Sequence, residues 1–490
     1  MKKIQLFVLQ CILLPIATNT TAQTPAKTEF AVEMGATLGS GTYAPLWLTA
    51  NRQGLSSINP ESGYLRAGIF HTMPLNKHFN LNAGLDLATA YNYTSSFVIQ
   101  QAYVDFGYRW LNLSIGSKER FPELKNPELS SGGLVESNNA RPVPQIRLEV
   151  PNYTPVPGTN RWVHFKGHIA YGRFTDDKWQ KDFSTPGNIY MQNVLYHSKA
   201  LFAKFGKKEK FPVEVEVGMQ LATQFGGEQY ISGQNDPILR MPVNWKDYFR
   251  VLVPSEGDSN APLGEQQNIL GNHLGSWNLA FTGYWSQWKA KVYYEHYFED
   301  ASQMYFGYGR WKDGHLGMEI TFPKNRFINT FVYECMSTKD QTGAVFSEHI
   351  SGNYENVTGV DNYYNHYIYQ AWQHWGMGMA NPLVVAPIYN ENGAITFVSN
   401  RMNAHHFGFS GTPADEWKYR VLLSYSQHWG GYVNPFDHMR KQFSSLLEVT
   451  YAPQSWKGWN FSLSGAMDRG NMLGNNTGGM FAIRKVGIIK

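Results

Sequence analysis

The chain has 490 residues, and its 42 Lys and Arg against 38 Asp and Glu give a formal net charge of +4 at pH 7. This weak charge, without a clustered Lys/Arg stripe, excludes an obvious nucleic-acid-binding surface. Charged residues make up only 16% of the chain and aromatic residues 15%, with 46 glycines. Such a composition is typical of a protein whose surface partly faces lipid.

Residues 1–22 have the features of a secretory signal peptide. Two early lysines supply positive charge, residues 4–16 form a short apolar core, and small residues follow at 20–22. The apolar core is too short to span a membrane as a helix. Removal of this segment takes two lysines from the net charge of +4 and leaves +2. It also leaves Cys335 as the only cysteine, which excludes an internal disulfide bond.

After the signal peptide, apolar and polar residues alternate in many short segments. In the hairpin at 278–298, Val292 and Phe298 share one face, whereas Lys291 and Glu295 share the other. A period of two indicates strands with one apolar and one polar face. In chain order, the predicted strands lie near 30–38, 62–71, 79–91, 97–108, 111–117, 145–150, 161–172, 191–205, 212–224, 278–285, 288–298, 316–322, 326–337, 401–410, 417–428, 441–451, 458–468 and 479–489.

The connections between these strands alternate between short and long. The long connections lie at 39–61, 118–144, 173–190, 225–277 and 338–400. Short turns on one rim and long loops on the other are expected for an outer membrane barrel, whereas a soluble two-sheet sandwich has no reason to sort its loops. We therefore predict an all-β fold, in which residues 23–490 form one domain. This domain is a transmembrane antiparallel β-barrel of about 18 strands, an even number that suits closure.

Two of the long loops, at 225–277 and 338–400, exceed what a barrel rim requires. The first contains a predicted short helix near Trp245–Val253, and the second is rich in aromatic residues. An 18-stranded barrel is wide enough to leave an aqueous bore. Long loops of this composition are expected to fold into the bore. We therefore expect these two loops to occlude it, so that long extracellular loops plug the lumen.

A series of motifs is similar to that of a known family. The run Leu129–Leu134 is followed by Ser137–Pro144. Further motifs are Ala44–Leu48, Asn51–Gly54, Gly271–Ser276, Tyr294–Asp300, Asp361–His366 and Asn400–Arg401. In this order they resemble the capsule assembly Wzi family of outer membrane proteins. The resemblance implies an 18-stranded barrel closed by loops, which acts as a surface lectin for exported capsular polysaccharide.

A lectin needs flat aromatic faces for the C–H surface of sugars and polar or charged groups for their hydroxyls. Arginine suits a polymer that carries carboxylates, because its donors can bind one bidentately. The candidate polysaccharide-binding residues in the predicted outer loops are Trp47, Arg52, Arg120, Arg141, Trp179, Trp311, Tyr363, Tyr364, Trp372, Trp375 and Tyr432. For each aromatic residue the alternative is a packing role inside the plug or at the membrane interface.

The hypothesis that the protein is an enzyme has less support in the sequence. Glu295, Glu299 and Asp300 place carboxylates near one strand end, as in a glycosidase, but charges at a lumen rim more usually form ion pairs. His405 and His406 are adjacent on a predicted strand, point to opposite faces and cannot chelate one ion together. The chain has no nucleophile elbow and no phosphate loop. We therefore predict no catalytic residues, no metal site and no cofactor.

The resulting hypothesis is a non-enzymatic lectin in the outer membrane of a Gram-negative bacterium. It would anchor or organise exported capsular polysaccharide at the cell surface. The expected partners are capsular or exopolysaccharide, outer-membrane lipids and lipopolysaccharide, and the polysaccharide export machinery, and the expected state is a monomer. Two alternatives stay open: a substrate-specific channel for oligosaccharides or other solutes, and a membrane hydrolase.

Overall fold

The computed structural model describes residues 25–267, 269–299, 301–304, 311–344 and 358–489, so the predicted signal peptide lies outside the described residues. Within these ranges, 18 antiparallel strands form one continuous sheet. The sheet closes on itself because the first strand pairs with both the second strand and the last one. The predicted 18-stranded antiparallel barrel is therefore confirmed.

The barrel strands are numbered here in chain order. They are β1 (Lys27–Ser40), β2 (Ser62–Pro74), β3 (Phe79–Tyr91), β4 (Phe97–Tyr108), β5 (Leu111–Ser117), β6 (Gln145–Pro155), β7 (Val163–Arg173), β8 (Leu195–Phe205), β9 (Val213–Phe225), β10 (Asn272–Trp285), β11 (Trp288–Phe298), β12 (Gly314–Thr321), β13 (Thr330–Ser337), β14 (Met402–Ala414), β15 (Trp417–Gly430), β16 (Pro435–Tyr451), β17 (Trp459–Gly470) and β18 (Asn476–Ile489).

The connections contain shorter elements. The helices are α1 (Leu46–Thr49), α2 (Asp177–Phe183), α3 (Trp245–Leu252) and α4 (Leu263–Gln267), with 3₁₀ turns at Ala301–Met304 and Pro387–Tyr389. Short strands at Ile189–Gln192, Glu228–Ile231 and Leu239–Arg240 form a small separate sheet. Two-stranded pieces pair Thr342–Ala344 with Thr358–Val360, Asn365–His366 with Gln370–Ala371, and Gln373–His374 with Met377–Gly378.

The start of β10 differs from the prediction. The sequence assigns residues 272–277 to the long connection at 225–277, but the strand begins at Asn272 and pairs with β9 from there. Gly275 lies inside this paired segment, where an added Cβ would come 2.3 Å from the ring of Phe298. The glycine therefore permits a close approach between neighbouring strands and does not mark a turn.

Alternating side chains give the barrel an apolar exterior and a polar interior. On β11, Trp288 and Val292 are exposed on the outside, whereas Tyr293 and Glu295 are buried on the inside. The same rule holds around the barrel, with exposed outward residues that include Leu85, Ile169, Leu201, Val217, Phe281 and Leu463. This apolar surface faces lipid, so the protein is an outer membrane barrel. Among the described residues, no helix is long and apolar enough to cross a membrane.

The two rims of the barrel differ in the length of their connections. The turns after β2, β4, β10 and β14 are short, and the prediction that only Ser286 and Gln287 join β10 to β11 is confirmed. The long connections at 41–61, 118–144, 174–194, 226–271 and 338–401 all leave from the other rim. Long loops mark the outer side of such barrels. This rim is called the extracellular rim below.

Three long extracellular connections, at 41–61, 118–144 and 338–401, fill the lumen, whereas the sequence predicts this role for 225–277 and 338–400. Their buried apolar residues form one cluster with the inward-facing side chains of the wall. The largest fully buried side chains in the three connections at 41–61, 118–144 and 338–401 include Leu129, Leu134, Tyr363, Tyr364 and Trp372. The lumen-filling parts of these three connections are called the plug below.

The deepest part of the plug belongs to residues 118–144. Near its tip, Lys125 forms a buried ion pair with Glu295 of β11. Ser130 and Ser131 both donate hydrogen bonds to Glu334 of β13. The Leu129 carbonyl approaches β14 so closely that a Cβ added at Gly408 would lie 2.4 Å from its oxygen. Residues 125–134 therefore anchor the plug to β11, β13 and β14.

The position of residues 226–271 differs in part from the expectation that this loop occludes the bore. Helix α3 contacts Tyr171 of β7 and Phe225 of β9, and both side chains lie on the outward face of the wall. This assignment follows from alternation, because Tyr171 and the exposed Ile169 are two residues apart on one strand. Outward-facing apolar side chains near the rim are thus covered by the loop, which folds over the outside of the barrel at this point.

Candidate functional site

The extracellular rim carries an open groove between three connections. It has a volume of about 500 Å³ and is lined by the β3–β4 loop, helix α2 and the turn at Trp375. The lining residues, called the groove below, are Thr94, Ser95, Ser96, Lys178, Trp179, Asp182, Phe183 and Trp375. The groove therefore combines aromatic rings, hydroxyls and both signs of charge.

The turn that presents Trp375 is held by the buried carboxylate of Asp176. Asp176 Oδ2 accepts hydrogen bonds from the backbone N–H of Trp375 at 3.1 Å and from the side chain of Gln373 at 2.8 Å. Trp375 has a φ of 57°, in the left-handed region that bulky residues rarely adopt. Such strain persists only where surrounding contacts impose it, and it is concentrated at functional sites.

The floor of the groove is made by two stacked rings of α2. Trp179 and Phe183 lie one helical turn apart, with ring centroids 4.8 Å apart and an interplanar angle of 21°. Trp179 is largely buried because it packs against the turn after Trp375, where a Cβ added at Gly376 would lie 2.5 Å from its ring. Gly376 also has a φ of 81°. Any side chain at this position would separate α2 from the Trp375 turn.

Arg141 supports the same turn from inside the plug. Its guanidinium lies over the Trp375 ring at 4.2 Å from the centroid and donates to Thr94 Oγ1 at 2.8 Å. Burial lowers the pKa of Arg141 to about 10, so the group remains charged at neutral pH. Among the described residues, its Nε has no hydrogen-bond acceptor. The groove thus has a cation with unused donor capacity behind one aromatic wall.

His374 links this network through a defined tautomer. The backbone N–H of Thr175 donates to His374 Nε2 at 3.2 Å, so this nitrogen carries no proton, and Nδ1 donates to the Arg141 carbonyl at 2.8 Å. Burial lowers the pKa of His374 below its ordinary value. The folded structure therefore requires the neutral imidazole.

Acidification is expected to loosen this network. A histidine with a depressed folded-state pKa favours folding above its unfolded pKa of about 6.5, and this contribution is lost as the pH falls. We expect amide protection at Thr175 and Trp375 to decrease between pH 7 and pH 5, as measured by hydrogen exchange corrected for intrinsic rates. Protection at Leu422, in the middle of β15, provides the control. Unchanged protection at Thr175 would contradict the assigned role of His374.

Four further candidates are buried in the plug and have no open face. Trp47 packs against His406, with ring centroids 5.0 Å apart. Tyr364 donates to the Leu134 carbonyl at 3.0 Å, and Trp372 donates to the Val135 carbonyl at 2.8 Å. The ring of Tyr363 packs edge-on against Tyr297. These aromatic residues join the plug segments to one another and to the wall.

The remaining candidates lie apart from the groove. Arg52 is 3.8 Å from Glu448 in the lumen, and Trp311 stacks on His296 of β11 at 4.5 Å. Arg120 lines a small pocket of about 80 Å³ between the plug and the wall, and burial lowers its pKa to about 10. Tyr432 donates to the Asp340 carbonyl and lies under the guanidinium of Arg401 at 3.7 Å. The structure brings together only Arg141, Trp179 and Trp375 of the eleven candidates at the groove.

Sequence reasoning missed the polar lining of the groove. Thr94, Ser95 and Ser96 lie in a short loop, whereas most of the candidates predicted from the sequence lie in long connections. Asp176 and Phe183 belong to no sequence motif that distinguishes them from other loop residues. The alternation of connections already placed the β3–β4 loop on the extracellular rim, so loop parity was the signal that could have found these hydroxyls.

The residues considered for catalysis form structural contacts. Glu299 accepts from the Tyr364 backbone N–H and the Tyr297 hydroxyl, whereas Asp300 lies outside the described residues. His405 is exposed on the outer face beside Tyr333, and His406 is buried on the inner face beside Ser424. The described part of the chain contains no group of three or more His, Cys, Asp or Glu residues that could hold a metal ion.

A family model for capsule assembly protein Wzi matches residues 62–371, more than half of the chain. The chain belongs to the capsule assembly protein Wzi family. Residues 62–371 include the groove residues from α2 and the β3–β4 loop, as well as the plug anchors Glu295 and Glu334. The groove residue Trp375 and the network residue His374 lie just beyond the Wzi match.

The solved structure of a Wzi protein supports the same fold. The Wzi protein of Escherichia coli is described as an outer membrane protein involved in group 1 capsule assembly and as a carbohydrate-binding β-barrel. It matches with a TM-score of 0.56 and 13% identity, over 94% of this chain and 84% of that chain. OccAB4 of Acinetobacter baumannii matches with a TM-score of 0.48 and 10% identity, over 95% of this chain and 99% of that chain. Among curated protein sequences, none matches this Wzi-family chain.

Proposed function

We propose that this protein is a surface lectin that holds exported capsular polysaccharide at the outer membrane, and that the groove is a main contact site. The observation that carries the proposal is the set of aromatic and polar side chains that meet at the groove. Exported polysaccharide can reach this rim without entering the bore. The carbohydrate-binding description of the Escherichia coli Wzi protein supports the same class of ligand.

The chemistry of the groove suits a sugar chain. The rings of Trp375 and Phe183 provide apolar faces for the C–H surface of a pyranose. The hydroxyls of Thr94, Ser95 and Ser96 can exchange hydrogen bonds with sugar hydroxyls. Because its walls are open on the extracellular side, a long polymer can pass through the groove without being threaded by an end.

The charges favour a polymer with acidic groups. Lys178 is exposed at the groove, and the charged Arg141 lies directly behind Trp375. Asp182 is the acidic residue of the lining and stands on α2, one residue before Phe183. A uronate or another carboxylate on the polymer would bind at the exposed Lys178, which can form a charge-assisted hydrogen bond with it, and the buried charge of Arg141 would add to the attraction.

The Trp375→Ala variant tests this function. Loss of an aromatic contact at the centre of an interface costs about 2 kcal/mol, so the affinity for purified polysaccharide from the same cells should fall at least tenfold. Titration in detergent with the intact protein measures the affinity. Trp456→Ala is the matched control, because Trp456 is 58% exposed in the turn between β16 and β17 on the opposite rim.

The same pair of variants can be examined in cells. Cells with Trp375→Ala should release polymer into the medium, whereas cells with Trp456→Ala should retain it. If both variants bound the polysaccharide with equal affinity, the groove would not be its contact site. The absence of any binding by the unchanged protein would overturn the lectin function itself. A stable ion current through the unchanged protein in planar bilayers would instead favour the channel.

A further inference from the structure

Helix α3 is fixed to the outside of the barrel by two wall residues. Tyr171 of β7 donates from its hydroxyl to the Tyr248 carbonyl at 2.7 Å. Lys199 of β8 donates to the Val251 carbonyl at 3.1 Å and also to the Leu252 carbonyl. A cation at the last carbonyls of a helix is stabilised by the helix dipole. Lys199 thus has partners on a wall where an unpaired lysine would be costly.

These contact points lie within the strands and not above the rim. Lys199 is four residues inside the extracellular end of β8, and Tyr171 is two residues inside that of β7. The next outward residues toward the membrane, Leu201 and Ile169, are exposed to lipid. Since a strand rises about 3.3 Å per residue, α3 begins only a few ångströms above the lipid-facing belt.

The side of α3 that faces away from the wall is apolar. Trp245, Phe249 and Val253 follow one another at intervals of four residues and are 69%, 61% and 68% exposed. This spacing places them within one narrow sector of the helix surface. The polar residue Arg250 pairs with Asp247 and Asp258 and so leaves this sector free of its charge.

We propose that α3 is an interfacial helix that inserts the side chains of Trp245, Phe249 and Val253 among the acyl chains of the outer leaflet. The occupant is identified by continuity, because the exposed sector extends the lipid-facing belt of Leu201 and Ile169 around the outside of the loop. An amphipathic helix with Trp and Phe on one side and an exposed Lys246 at its start has the composition of a membrane-surface helix.

This arrangement gives residues 226–271 a role distinct from plugging. The loop covers the outward residues Thr223 and His273, which hydrogen-bond to each other at 3.0 Å on the outer wall. It shields these polar groups from lipid and presents its own apolar side chains to the lipid instead. The barrel wall between β7 and β10 is thus extended toward the headgroup region without a longer strand.

Site-directed spin labelling can test the proposal in the intact protein. Single cysteines are introduced at Phe249 and Val253 in a Cys335→Ser background, and the protein is reconstituted in vesicles of phosphatidylethanolamine and phosphatidylglycerol. Oxygen concentrates among acyl chains, whereas a nickel chelate stays in water. Leu201→Cys is the lipid control, and Lys181→Cys on the exposed side of α2 is the aqueous control.

The ratio of oxygen accessibility to nickel accessibility at 249 and 253 should be at least fivefold higher than the ratio at 181. It should approach the ratio at 201. Ratios equal to that at position 181 would overturn the insertion. Spin–spin broadening that disappears on dilution with unlabelled protein would also overturn it, because it would assign the apolar side to a second copy of this chain. The four labelled positions, at 181, 201, 249 and 253, are exposed, so the labels should leave the barrel folded.

Discussion

Replacement of Glu334 by alanine is expected to release the plug from β13 and to open an ion-conducting path. The carboxylate is buried and accepts hydrogen bonds from Ser130 Oγ at 2.5 Å, Ser131 N at 2.7 Å and Ser131 Oγ at 2.6 Å. It also accepts from the Tyr293 hydroxyl. The alanine variant leaves these buried donors without an acceptor, and each such donor costs about 1–3 kcal/mol.

The summed cost, about 3–5 kcal/mol once the segment relaxes, is of the size found for broken buried charge networks. We expect amide protection at residues 129–134 to fall by at least a hundredfold and planar bilayers to show discrete current steps. Glu149→Ala is the control, because Glu149 is also an inward carboxylate but pairs with Arg147 and Asn112 on the wall. A silent bilayer with unchanged protection would show that Glu334 does not hold the plug.

Replacement of Lys125 by methionine should destabilise the plug by a comparable free energy, because it breaks the second anchor, the ion pair between Lys125 and Glu295. Lys125 and Glu295 are 2.5 Å apart, and their side chains are only 2% and 3% exposed. Removal of the lysine leaves a buried carboxylate without its counter-charge, which costs about 3–5 kcal/mol. The thermal midpoint of the near-ultraviolet circular dichroism signal, which reports packing of the aromatic plug, should decrease clearly.

Two further variants separate charge from packing at this anchor. The double variant Lys125→Met with Glu295→Leu should recover part of the loss, because no buried charge remains, although the Leu134 N–H loses its acceptor. Lys418→Met removes a second plug contact, in which Lys418 and Glu128 are 46% and 51% exposed, and should cost at most about 1 kcal/mol. Equal effects of Lys125→Met and Lys418→Met would contradict the importance of burial.

Much of the barrel could be predicted from local sequence because a strand in lipid obeys a simple rule. Val292 and Lys291 face lipid and lumen, respectively, and this alternation identifies β11 without knowledge of its neighbours. Loop length then separates the two rims. The rule is weaker near the extracellular ends, where the connection at 226–271 covers the outward-facing Thr223 and His273 and these strand residues no longer meet lipid.

The candidate site was only partly predictable, because tryptophan and tyrosine serve packing and binding equally well. Trp372 and Trp375 are three residues apart in the same aromatic loop, yet Trp372 is fully buried and Trp375 lines the groove. The difference arises from contacts with residues 135, 141 and 176, which are distant in sequence. Nothing in the spacing of the two tryptophans distinguishes their environments.

The sequence by itself determined the class of barrel, the strand count, the extracellular rim and, through its motifs, the family. These properties depend on side-chain alternation and on the lengths of connections, which are local quantities. Only the tertiary structure decided that residues 118–144 reach deepest into the bore, that α3 lies outside it, and that Trp375 meets α2 and Thr94. Those outcomes depend on pairings such as Lys125 with Glu295 and Lys199 with Val251, between groups whose proximity exists only once the barrel has closed.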